Sequence, residues 1–514
     1  MQKSTLYLVL LVSLALGLAG CGDALRQRAE VIRRNYQSTV AERYIAEGDR
    51  LLKEGQVETA VLAYRKAVDV SPAAAIMSQA ERLAQEGKVQ EAEGEYNKIL
   101  QADRAYDLAL HKLADAYAGQ GRRRMAIIYY RQAARLGDAD AAQAGVRLAD
   151  QLKAPSLLPL RWQRTLGGDN VPAGLAASRS MLFVTTNRGQ VFALDLQTGL
   201  ALWQGQIAKS ITGAPAVAGG LVLFGGDDNV LHALQASDGK PAWKSEEAKA
   251  QIFAGPEVGD DTAYFGSADG NLYAVSLQNG NLKWKYATGG PIHASPVVRE
   301  GIVYFGSVDK HLYAVDARKG TLRWQFPPEG AEEMLDAVEY TPALAGERIY
   351  FGANNGRIYA LNRANGRLIW VASAGEAEYG RLAVFKETVL SSSGSTKLVA
   401  VNAFNGQERW SWKHEAESFL KEPVLFESTL LLTADRDSRV FAFDLSPQAP
   451  WQKSPVRSEN GQLLAIPSWK LDTGEWVAVA PLVVENTVYV ATSDGTILAY
   501  SLLVREPPGP GSAF

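Results

Sequence analysis

Six tryptophans follow an apolar-alanine or aromatic-alanine pair at a constant distance, and that spacing restricts the fold more than any other property of the chain. The alanines of Phe192-Ala193, His232-Ala233, Tyr273-Ala274, Tyr313-Ala314, Tyr359-Ala360 and Val399-Ala400 each precede a tryptophan by ten residues: Trp203, Trp243, Trp284, Trp324, Trp370 and Trp410. Four residues before each tryptophan stands a glycine, Gly199, Gly239, Gly280, Gly320, Gly366 and Gly406. The unit therefore reads strand, glycine turn, strand ending in Trp, about every 40 residues. A four-stranded sheet cannot bury both faces alone, so a repeat of this size implies a β-propeller, in which neighbours close a ring.

Two imperfect copies complete the count. Phe441-Ala442 is followed by Trp469, with seventeen extra residues between Asp444 and Ser468, and Leu498-Ala499 has no tryptophan after it. Trp162, conversely, has no alanine pair before it. The first strand is thus expected to complete an eighth blade and to leave no open edge in the ring. Turns such as Asn187-Arg188-Gly189, Ala268-Asp269-Gly270, Asn354-Asn355-Gly356 and Ser493-Asp494-Gly495 use residues that tolerate positive φ. Asp227-Asp228-Asn229 reads the same way, because a cation needs several converging oxygens and these acids belong to a solvated tip. The tryptophans are expected to pack between blades, each indole N–H bonding a neighbouring loop.

Upstream lies a different period. Gly48, Gly55, Ala60, Tyr64, Ala67 and Pro72 fall at tetratricopeptide spacings; Ala80, Gly87, Ala92, Tyr96 and Ile99 repeat them, as do Ala114, Gly121, Ala126, Tyr130 and Ala133. Gly55, Gly87 and Gly121 stand 32 and 34 residues apart, near the repeat of that helical hairpin. Three repeats suffice for a stack, and 139–153 is expected to cap it. Arg122-Arg123-Arg124 is read as a solvated turn.

At the amino terminus Lys3 precedes an apolar run from Leu6 to Leu18, short for a membrane span and shaped like a secretory signal. Leu18-Ala19-Gly20-Cys21 resembles the bacterial lipobox, which implies cleavage before Cys21 and acylation of its thiol. As this is the one cysteine of the chain, no disulfide is expected. Gly22, rather than an aspartate, follows it, and the resemblance then implies delivery to the outer membrane, facing the periplasm.

The expected class is a multidomain α + β chain: signal 1–20, lipid-anchored linker 21–40, tetratricopeptide-like helices 41–153, an all-β eight-bladed propeller 154–505 and a disordered tail 506–514. With 53 basic and 56 acidic side chains the net charge is -3, which argues against a nucleic-acid surface. The five histidines, His111, His232, His293, His311 and His414, show no metal-ligand spacing, and no nucleophile elbow or phosphate loop is present. Neither a catalytic residue, a metal nor a cofactor is expected.

The pattern Ala-x-Asp/Asn-x-x-x-Gly-x-x-x-Trp, as in Ala314-Val315-Asp316 through Gly320 to Trp324, resembles the pyrroloquinoline-quinone-type propeller repeat across 157–505. Eight-bladed quinoprotein dehydrogenases share it but place adjacent cysteines over the quinone beside a calcium site; this chain has no such pair, so the non-catalytic branch is favoured. Together with the lipobox, the propeller resembles the BamB family, lipoproteins of the machinery that folds β-barrels into the outer membrane. In that family an acidic inter-blade loop with the pattern Leu-Ser-Asp-Val-Asp-Thr-Thr-Pro docks on the barrel subunit. The comparable stretch here runs from Ala331 to Pro342, and Leu335, Val338, Glu339, Thr341 and Pro342 match in kind, with Ala337 in place of the first acid and Asp336 beside it. The resemblance thus implies a barrel-assembly partner contacted by Glu332, Glu333, Leu335, Asp336 and Glu339. A second family contact, Leu-x-Leu-Arg, is absent from Lys285 to Pro296. A quinone-dependent dehydrogenase and a surface ligand sensor are the competing classes.

Overall fold

The computed structural model describes residues 40–71, scattered positions from 73 to 99, 106–136, 138–152, 158–167, 170–328, 336–373, 382–392, 397–414, 421–427, 429–433, 438–446, 456–457, 463–465 and 467–502. Cys21 and the signal, the Ala80 to Tyr96 repeat, Glu332, Glu333, Leu335, Trp451 and the tail lie outside these residues. The chain divides into two compact units, 1–154 and 155–514.

In the first unit, helical residues 40–53 are followed by α1 (Val57–Val70), α2 (Tyr106–Gly119), α3 (Arg123–Arg135) and α4 (Ala139–Leu152). Ala60, Tyr64, Ala67, Ala114, Ala126, Tyr130 and Ala133, the residues that carry the helical repeat, are all buried in one core. Close crossing requires the small side chains: a Cβ on Gly48 would lie 2.4 Å from the Tyr64 ring. The tyrosine hydroxyls donate to an acid fifteen residues earlier in both places, Tyr64 to Asp49 (2.7 Å) and Tyr130 to Asp115 (2.6 Å). Among the described residues no helix is long and apolar enough to cross a membrane.

Among the described residues the second unit contains eight sheets, antiparallel except for one parallel pairing. Blade 1 comprises Pro172–Ala177, Met181–Thr186, Gln190–Asp195 and Ala201–Gln206; blades 2 to 5 repeat that order through Pro241–Ser245, Leu282–Ala287, Leu322–Phe326 and Leu368–Ser373 as their outer strands. Blade 6 ends in Glu408–Lys413 and blade 7 in Trp469–Asp472. The innermost strands neighbour one another around the ring, blade 8 meeting blade 1. Leu160–Thr165 supplies the outer strand of blade 8, pairing antiparallel with Thr496–Ser501, so the expected closure by the first strand is present.

Eight apolar cores lie between successive blades. Second and third strands such as Ile302–Ser307 and His311–Asp316 are therefore apolar on both faces. The tryptophans fasten one blade to the next. Trp284 Nε1 donates to Ala317 O at 3.0 Å and its ring lies where a Cβ on Gly320 would stand, 2.5 Å away. Trp162, Trp203, Trp243, Trp324 and Trp370 repeat the contact on Leu196, Ala236, Leu277, Arg363 and Ala403. The Asp or Asn of the repeat caps the same turn: Asp316 Oδ1 accepts from the amides of Arg318 and Lys319.

Blade 7 lacks the glycine turn, and the inserted residues do different work there. Leu463–Leu464 pairs with Val456–Arg457 and, in parallel, with Ser411 on the outer edge of blade 6, where the Ala465 amide donates to Ser411 O. Trp410 shares its core with Phe443, Leu445 and Ala465.

Candidate functional site

Five of the eight blades, blades 2 to 5 and 8, are entered through a short segment ending in proline: Ile211 to Pro215, Ile252 to Pro256, Ile292 to Pro296, Val338 to Pro342, Val477 to Pro481. The leading residue is buried in every one. Ile252, Ile292 and Val338 fill the space left by Gly225, Gly266 and Gly306 of the preceding blade. With that anchor fixed, the following residue lies on the wall of a cavity at the ring's centre, about 580 Å³, which blades 1 to 5, 7 and 8 enclose. Glycine and alanine recur along the wall, as at Gly174, Gly213, Ala254, Ala294 and Ala478. Chemistry is concentrated at one equivalent position, occupied by Thr212, Phe253, His293 and Glu339 on successive blades, and at Lys421 and Glu422.

His293 Nδ1 lies 2.8 Å from Glu339 Oε1, the Asn354 amide donates to Glu339 Oε2, and Phe253 meets the His293 ring edge-on with centroids 5.0 Å apart. Both partners stay partly open, His293 at 33% and Glu339 at 29% side-chain exposure, so the pair is reachable from the cavity yet fixed in orientation. Of the acids expected to meet a partner, the structure describes two. Asp336 accepts from the Ala337 amide, and Glu339 turns into the cavity mouth, held by groups of blades 4 and 5. The chain between them is pinned by Val338 N to Ser307 O and Asn354 N to Ala337 O. The sequence reading gave His293 and Asn354 no place at a site; the signal for His293 was its register, one residue after the isoleucine of its segment.

Other polar residues of the hairpin turns are structural. Asp309 accepts from Tyr313 OH and the amides of Gly289 and His311, tying its hairpin to the incoming segment. Asp269 does the same with Tyr273, Lys249 and Asn271; burial works against its ionisation, but these donors hold its carboxyl below the ordinary range. His232, in the aromatic slot of blade 2, stacks on Phe224 and bonds Asp228 at 2.8 Å. Among the described residues no three His, Cys, Asp or Glu side chains converge as a metal site.

A quinone of the dehydrogenase type fits this wall poorly. Pyrroloquinoline quinone is a tricarboxylate, whereas the cavity sets Glu339 and Glu422 against the single Lys421, and the chain has one cysteine where a pair is required.

Seven sheets of four strands and one of six, Trp-to-turn fastening, closure by the first strand and a cavity at the ring's centre define an eight-bladed propeller. The family model described as outer membrane protein assembly factor BamB matches residues 159–291 and 249–454, more than half of the chain, and the chain belongs to that family. It is similar to BamB of Nitrosomonas eutropha, 34% identical over 70 residues, 14% of this chain and 17% of that protein. A quinohemoprotein alcohol dehydrogenase of Pseudomonas putida is 37% identical over 92 residues, 16% of this chain and 13% of its own length. The chain thus spans under a fifth of either relative. The crystal structure of BamB from Moraxella catarrhalis superposes with a TM-score of 0.55 at 19% identity, covering 68% of this chain and 99% of that one, a likeness of fold.

Proposed function

We propose that this chain is a non-catalytic scaffold of outer-membrane β-barrel assembly, anchored through lipid on Cys21 and facing the periplasm. The observation that carries the reading is the family membership of the propeller, joined to an acid, Glu339, fixed at the mouth of the ring by His293 and Asn354. An oriented carboxylate loses little further freedom when a basic partner group meets it. The preceding acids Glu332, Glu333 and Asp336 extend the charge, and Leu335 supplies an apolar anchor. The helical unit serves as a second docking surface of tetratricopeptide type, a reading supported by the recurring Tyr64–Asp49 and Tyr130–Asp115 bonds.

The test is photocrosslinking and co-purification from intact cells. Glu332→Lys, Glu333→Lys and Leu335→Ala together should cut recovery of the barrel-assembly partner roughly tenfold, a loss of ~1.4 kcal/mol, with the melting temperature unchanged. Glu339→Arg is the poorer variant, since it leaves His293 and Asn354 unpaired. Wild-type recovery by the triple variant rejects docking through this segment.

A further inference from the structure

The outer strand of each blade is a sheet edge, and edges that must stay single are protected by charge. Blade 3 places Lys283 and Lys285 on either side of its tryptophan, blade 4 Arg323 and Gln325, blade 6 Arg409 and Ser411. Of the eight outer strands, only that of blade 5 carries apolar side chains on both sides, Ile369 and Val371, exposed at 41% and 38%. Leu368, which opens the strand, and Phe404, in the next blade's turn beside Ala403, are exposed too. Trp370 needs neither neighbour for its own fastening, which runs to Ala403 O and Gly406 as in other blades. No described strand pairs with this edge.

The next blade shows what such an edge accepts. On blade 6 the position equivalent to Val371 is Ser411, and there the chain lays its own Leu463–Leu464 strand alongside. Charge marks the ends of the blade 5 edge. Arg367 precedes Leu368, and Arg357 lies opposite Ser373 in the ladder; both are exposed, and neither has an ion-pair partner among the described residues.

We infer that the outer edge of blade 5 binds an extended polypeptide strand, apolar in its middle and acidic towards its ends, by adding it to the sheet. The strand's backbone would pair with Leu368–Ser373, its apolar side chains would cover Ile369 and Val371, and its acids would meet Arg357 and Arg367. In the assembly reading, on which the identity of the occupant rests, the strand belongs to a β-barrel polypeptide not yet folded.

The test uses the full chain in detergent and a fluorescent peptide of about ten residues, alternating Val and Thr with Asp at each end. The peptide should bind, slow amide exchange across 368–373, and lose roughly tenfold or more in affinity to the Ile369→Lys/Val371→Lys variant. The same peptide N-methylated along its edge-facing amides should not bind the unaltered protein, a control that needs no variant to fold. Equal binding of the methylated peptide, or undiminished binding by the double variant, overturns the inference. So does a wild-type dimer in sedimentation that the double variant dissolves, since a second copy would then own the edge. Recovery of the assembly partner without strand binding rejects this inference alone; strand binding without partner recovery rejects the docking role instead.

Discussion

Gly320 and Gly301 both adopt positive φ, +66° and +74°, yet they should tolerate alanine very differently. A Cβ on Gly301 meets nothing within 4 Å, whereas one on Gly320 would stand 2.5 Å from the Trp284 ring. The left-handed backbone alone costs ~1–2 kcal/mol for a non-glycine residue, so Gly301→Ala should cost about that. At Gly320 the ring cannot retreat cheaply: its N–H is held by Ala317 O and Tyr264 packs against it with centroids 5.8 Å apart. Overpacking adds ~1–3 kcal/mol, giving ~2–5 kcal/mol for Gly320→Ala. In a Trp284→Ala background that surplus should vanish, so the two substitutions couple by ~1–3 kcal/mol. Urea unfolding followed by tryptophan fluorescence isolates the quantity, because all 11 tryptophans lie at or after residue 162 and the helical unit has none. Equal costs at Gly301 and Gly320, or a cost at Gly320 that persists without the ring, would refute the fastening argument.

Two further outcomes are expected. Deleting residues 157–166 removes the strand that pairs with Thr496–Ser501 and the Trp162 bond to Leu196 O, so the propeller should lose its single cooperative fluorescence transition; an unchanged transition would show that the ring does not depend on this closure. Asp316 is held below the ordinary carboxylate range by Arg323, at 2.6 Å, and by the Lys319 and Arg318 amides. A depressed folded value means that its contribution is present above the unfolded value of about 4 and is lost as pH falls through the lower folded value. Asp316→Asn should therefore show a smaller drop in melting temperature on acidification below about pH 4 than the wild type.

The propeller was legible because its repeat records demands of the backbone that every blade must meet. A glycine is needed where φ is positive and an indole lies over the Cα, and an Asp or Asn is needed where two turn amides require an acceptor. Such needs recur at fixed spacing and can be counted. The helical repeat was visible for a similar reason, since only a small residue fits at Gly48 beneath Tyr64. Insertions obey no such rule. Nothing in residues 445–468 announces that Leu464 returns to blade 6, because the match is made by the partner edge and not by local spacing. Glu339 was read as one of the acids that meet a partner, without its place on the cavity wall; its direction is decided by burial of Val338 over Gly306 one residue earlier, a contact between two blades.

Eight copies of one unit also supply a control that a unique fold lacks. Lys283 and Lys285 show that charged residues beside the tryptophan satisfy the sheet fully, so Ile369 and Val371 cannot be explained by folding. An exposed apolar edge invites association, and of the eight outer strands that of blade 5 alone has no polar or charged residue beside its tryptophan. The same reasoning applies at the axis. Thr212 and Phe253 occupy the equivalent wall position on blades 2 and 3, without an acid or a histidine. A histidine–carboxylate pair across blades 4 and 5 is therefore surplus to the ring, and so is the long connection that ends at Glu339. These departures fall in neighbouring blades, which is where a search for the chain's partners should begin.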